Sequence, residues 1–136
     1  MSRFNVIIAG AAALALSACA APLTFQAPLS GAAEVPAKAS AGTGKVVAMV
    51  YPDTMAMTYT AEYAGLSGPA TAAHFHGPAA AGANAGVVIP ATVSPSPIKG
   101  GATLTAAQLD DLKAGKYYFN VHTAANPGGE VRGQMQ

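Results

Sequence analysis

Two runs of alternating side chains dominate the first half of the chain. Across residues 55–63, Met55, Met57, Tyr59, Ala61 and Tyr63 share one face, while Ala56, Thr58, Thr60 and Glu62 share the other. A period of two over this length predicts a half-buried strand. Residues 45–51 alternate in the same way, and Pro52-Asp53-Thr54 lies between the runs. Proline presets φ and aspartate bonds its own backbone, so the segment predicts a β-hairpin. Shorter strands are predicted at 70–76, 87–93, 117–123 and 130–135, separated by Gly/Pro/Asn-rich loops such as 77–86 and 124–129. One helix interrupts them: Thr105-Ala106-Ala107-Gln108 matches a capping box, Leu109 and Leu112 share a face, and Gly115 follows where a left-handed residue closes a helix.

Short strands at this spacing predict an all-β, antiparallel sandwich or barrel, with the helix closing one end. Many apolar residues are alanines that bury little area each, so the larger side chains must carry the packing. Val47, Met49, Tyr51, Met57, Tyr59, Leu66, Phe75, Val88, Leu104, Leu109, Leu112, Tyr117, Phe119 and Val121 form the expected core.

Composition narrows the class of partner. Half of the chain is hydrophobic and a tenth is charged, the reverse of a disordered chain. Seven Lys+Arg against six Asp+Glu leave +1, with no basic run to neutralise phosphates, so nucleic acid is not an expected partner. The N-terminus is more informative. Arg3 precedes an apolar and small-residue stretch that ends in Leu16-Ser17-Ala18-Cys19. That stretch is shorter than the roughly 20 residues a spanning helix needs and has the layout of a secretory signal. Leu-Ser-Ala-Cys resembles the lipobox of bacterial lipoproteins, in which the leader is cut before the cysteine and the thiol is lipidated. Cys19 is the single cysteine, so it has no disulfide partner within the chain.

The expected layout is a signal peptide at 1–18, lipidated Cys19 with an Ala/Pro-rich tether at 19–28, and one domain at 29–136. Loss of Arg3 with the leader leaves the exported domain neutral, so attachment to the membrane rests on the acyl chains. Ala20, rather than an aspartate, follows the cysteine. By analogy with the sorting of enterobacterial lipoproteins, the expected location is the outer membrane, facing the periplasm or the cell surface.

The three histidines fall in two places, His74-Phe75-His76 and Asn120-Val121-His122-Thr123. Residues i and i+2 of a strand share a face, so His74 and His76 project together. If Tyr117, Phe119 and Val121 face the core, Tyr118, Asn120 and His122 face outward. Two imidazoles on one strand and a third from a neighbour suit copper or zinc, provided that 70–76 and 117–123 pair. Alternatively, the histidines are hydrogen-bonding struts in a metal-free network. Adjacent Asp110 and Asp111 on the helix do not face each other and form no acid/base pair. No nucleophile-elbow, dithiol, phosphate-loop or dinucleotide motif is present, and no catalytic residue is assigned. Glu130 and Arg132 stand two apart and are placed to pair across one face. The alternation of Met49, Met55 and Met57 reads as core packing.

Four segments together resemble the CHRD domain family: Leu29-Ser30-Gly31-Ala32-Ala33-Glu34-Val35-Pro36, Ala73-His74-Phe75-His76-Gly77-Pro78-Ala79, the run from Leu112 to Thr123, and Asn126-Pro127-Gly128-Gly129-Glu130-Val131-Arg132-Gly133-Gln134. The resemblance spans 29–136. It implies an immunoglobulin-like or superoxide-dismutase-like β-sandwich with a binding or structural role. The family's His-x-His-Gly-Pro and Asn-x-His-Thr motifs fall on His74, His76, Gly77, Pro78, Asn120, His122 and Thr123. Dismutase metal sites use more histidines than this chain has, so that activity is not expected.

The expected function is therefore that of a lipid-anchored envelope protein whose non-catalytic domain binds copper or zinc through His74, His76 and His122, with Asn120, Thr123, Glu130 and Arg132 around them. The alternatives are a metal-free module that contacts an envelope protein or polysaccharide, and a copper redox enzyme.

Overall fold

The computed structural model describes residues 20–136. The leader at 1–18 and Cys19 lie outside the described residues. Loops and a 3-10 turn at Gly31–Ala33 connect eight antiparallel strands and one short α-helix, in the order β1 (Leu23–Ser30), β2 (Thr43–Tyr51), β3 (Ala56–Ala64), β4 (Ala70–His76), β5 (Val87–Ala91), β6 (Ile98–Thr103), α1 (Ala106–Lys113), β7 (Tyr118–Thr123) and β8 (Val131–Gln134). They form one sheet in the order β5-β4-β7-β8-β1-β2-β3-β6, and its two end strands approach each other. The fold is thus all-β, a sandwich curled almost into a barrel.

Two halves meet at the β1–β8 seam. Ser30 pairs with Arg132, and Gln26 exchanges backbone hydrogen bonds with Gln136 in the same register. Between them on that side stands Pro28, which has no N–H to donate and so leaves a gap in the ladder. The core fills the space enclosed by the sheet. Phe75 stacks edge-on against Tyr59 and Phe119, with ring centroids 5.0 and 4.8 Å away. Ala48 lies opposite Tyr59, a small residue making room for a large one.

The hairpin of β2 and β3 forms as its alternation predicts, with register Tyr51 to Ala56 at the turn. Met55, expected in the strand, takes φ 57° and ends the turn instead. The helix keeps its reciprocal capping box between Thr105 and Gln108, and Leu109 and Leu112 are buried. Gly115 follows at φ 68°.

Four expectations are corrected. Residues 23–28, read as tether, belong to β1, where Phe25, Ala27 and Leu29 alternate into the core. In β2 the buried face is Val46, Ala48 and Val50, whereas Val47 and Met49 are half-buried and Tyr51 is exposed. Both faces of that strand are apolar, so its own pattern does not choose; pairing with Met57, Tyr59 and Ala61 does. The same ambiguity places Ile89 rather than Val88 inside, and Leu66 is only half-buried. Strand β6, with Gly100 and Gly101, has no strand signature of its own and follows from pairing with β3.

Candidate metal centre

In β4, Ala73 and Phe75 point into the core, and His74 and His76 occupy the opposite face because neighbours on a strand alternate. Strand β7 pairs with β4 so that Ala72 lies opposite His122, His74 opposite Asn120 and His76 opposite Tyr118. The pairing on which a shared histidine site depends is present. Ring nitrogens of His74, His76 and His122, one from each, lie within 4.8 Å of one another, and His74 Nδ1 is 3.1 Å from His122 Nε2. A tetrahedral ion at the usual metal–imidazole distance holds its nitrogens about 3.3 Å apart, which the His74–His122 pair already matches, while a pair at the 4.8 Å limit would close on binding.

This face is not open to water as strand parity alone predicts. Every residue of β7 is buried, because the 77–86 and 124–130 loops fold back over the outer side of the sheet. Each loop lends a carbonyl to a histidine: Ala85 O is 3.0 Å from His76 Nδ1, and Pro127 O is 2.9 Å from His122 Nδ1. A carbonyl only accepts, so in the neutral rings both Nδ1 atoms carry the proton and both Nε2 atoms present lone pairs. Metal-ligating imidazoles are commonly held in this way. Both Nε2 atoms are 3.0 Å from Asn120 Oδ1. His74 is half-buried and gives the cluster its access to solvent.

Burial, then the charges of His122 and His76, push the His74 pKa down. His76 is lowered chiefly by burial, against the raising effect of its bonds to Ala85 and Asn120. Both shifts favour the neutral imidazole that a metal requires.

The remaining predicted residues act at greater distance. The Tyr118 ring stacks on His76, with centroids 4.7 Å apart and planes within 2°. Arg132 lies over the far face of the same layer, its Cζ 3.4 Å from the Tyr118 centroid. It donates to Asn84 Oδ1 at 2.9 Å and Ala83 O at 2.7 Å, fastening the loop that covers His76. Glu130 does not pair with Arg132 as their spacing suggests. Its carboxylate accepts from Ser40, Ser67, Thr123 and Asn126. Burial alone raises an acid's pKa, but these bonds prevail and hold Glu130 at about 2. Thr123 and Glu130 therefore anchor the loop that supplies Pro127 O and do not touch the imidazoles' ring nitrogens.

Glu34 was not singled out from the sequence, although it lies within one of the four segments that carry the family resemblance. It is buried beside Asn120. Burial raises its pKa, offset in part by Arg132, Asn120, the Val35 backbone and Lys38. Its Oε1 is buried and finds no partner in hydrogen-bonding geometry.

The CHRD domain family model matches residues 25–135. No curated protein and no solved structure matches the chain.

Proposed function

The chain belongs to the CHRD domain family, and we propose that its domain is a non-catalytic binding module that holds one copper or zinc ion at His74, His76 and His122. The observation that carries this reading is the convergence of three imidazoles, two of which have their Nδ1 protons committed to backbone carbonyls and turn Nε2 inward. Buried lone pairs at hydrogen-bond distance with no proton between them repel, and a cation removes that repulsion. The donors fit borderline ions that accept imidazole.

The metal-free reading has one observation in its favour, since His74 Nδ1–H can donate to His122 Nε2 and tie part of the cluster together. That bond leaves His76 Nε2 facing Asn120 Oδ1 without a proton, which favours the ion. A copper redox role would further require an open coordination position and a reducible substrate.

The lipobox-like Leu16-Ser17-Ala18-Cys19 supports export and lipid anchoring in a bacterial envelope. With β1 starting at Leu23, Ala20, Ala21 and Pro22 alone separate Cys19 from the sheet. In this reading the domain is held close to the bilayer and meets its envelope partner, protein or polysaccharide, near the membrane surface.

Titration of the purified protein with Cu(II), Cu(I) and Zn(II), with the His74→Ala variant beside it, tests the proposal. One ion per chain, lost in the variant, supports it; a folded wild-type protein that binds none sends the histidines back to a structural role.

A further inference from the structure

Three histidines leave a tetrahedral ion one donor short, and Asn120 stands beside two of them. Its Oδ1 stands 3.0 Å from both His76 Nε2 and His122 Nε2. Turning the amide over would replace that oxygen by an N–H donor and satisfy both rings without any ion, so what fixes the amide decides the chemistry of the site.

Glu34 is placed to fix it. The Asn120 Nδ2 side of the amide and Glu34 Oε1 both press on Gly129, so closely that a Cβ there would overlap them both. Gly129 also holds φ at 123°, a value that side-chain-bearing residues rarely adopt. Close passage of the chain at this point brings carboxyl and amide together. Glu34 Oε1 is a buried acceptor with no bonded partner. An overturned amide would set Oδ1 against this oxygen, two acceptors facing each other in a buried place. The present orientation instead sends N–H toward the carboxyl and oxygen toward the histidines.

Resting on the metal-binding reading above, we infer that Asn120 Oδ1 is the fourth donor to the ion and that Glu34 is the positioning residue that aims it. Three imidazoles and one amide oxygen make a nitrogen/oxygen set with no soft sulfur donor, which suits Zn(II) or Cu(II) better than Cu(I).

The test compares wild type, Asn120→Ala, Glu34→Leu and Glu34→Gln for Zn(II) and Cu(I) affinity and for the visible spectrum of the Co(II)-loaded protein. Asn120→Ala and Glu34→Leu are expected to lose about ten- to hundred-fold in Zn(II) affinity, to shift the Co(II) bands, and to keep Cu(I) affinity within about threefold. Glu34→Gln retains an acceptor oxygen and restores the wild-type Co(II) spectrum. Glu34 lies outside the strands, so its variants decide the matter even if Asn120→Ala fails to fold. Wild-type Zn(II) affinity and Co(II) spectra in Glu34→Leu, or in a folded Asn120→Ala, with His74→Ala still metal-free, would leave a three-histidine site and overturn this inference alone. Absence of any ion in wild type would overturn the parent reading as well.

Discussion

His74 and His76 share a strand face, yet the surroundings give them different work. His76 is fastened by Ala85 and the Tyr118 ring, whereas half-buried His74 has, among the described residues, a side-chain hydrogen-bonding contact with His122 alone. Removing His74 should therefore abolish metal binding at a stability cost below about 0.5 kcal/mol. Removing His76 should cost about 1–3 kcal/mol as well, because a buried ring stacked on Tyr118 is lost together with its bond to Ala85 O. Denaturant unfolding of the two alanine variants without metal checks the ranking; equal costs would contradict it. Glu130 makes a second prediction. Its pKa is depressed from 4.5 to about 2, so the unfolded chain takes up the proton first. The stabilisation is complete above pH 4.5 and is lost as pH falls toward 2, a loss on the order of 3 kcal/mol. Glu130→Gln should flatten unfolding free energy against pH across that window; an unchanged slope there would assign acid sensitivity to other groups. Histidine spacing made three of these residues legible. Glu34 was not, because no local pattern reveals that a chain segment far away will bring an amide against it.

At the scale of elements, the face that carries the histidines is closed by loops, and Arg132 joins one of them to the sheet. Its guanidinium bonds Asn84 and Ala83 while lying on Tyr118. Arg132→Met should free the 77–86 loop and raise hydrogen exchange at the Ala85 amide, which is bonded to Tyr118 Oη, with little change in the β2–β3 hairpin. Protection lost equally in both would mean that Arg132 supports the whole domain. The elements differ in how readily their sequences announced them. β3 and α1 have one polar and one apolar face, and their assignment followed from period and capping. β2 and β5 are apolar on both faces, so their inward side is set by cross-strand partners. β1 carries Ala27 and Pro28 within a strand, and β6 carries two glycines; composition pointed to a tether in the first and to no element in the second, where pairing makes strand.

For the whole molecule, one curled sheet encloses an apolar core and carries a polar cluster on its outer surface. The domain class was legible because strand length and turn spacing report it, and the family resemblance extended across the domain. Near closure of the sheet was not, since it depends on β5 and β6, the end strands, approaching each other. The proposed membrane anchoring belongs to the whole molecule too: on expression in a bacterium that lipidates exported proteins, Cys19→Ser should move the protein from the membrane to the soluble envelope fraction, and a variant still membrane-bound would refute lipid attachment at that residue. Metal stoichiometry, by elemental analysis of the purified protein after Zn(II) or Cu(II) loading and removal of free ion, tests the site first. One ion per folded wild-type chain and none in His74→Ala is the expected result; a folded wild-type protein that retains no ion would leave the three histidines without a metal role.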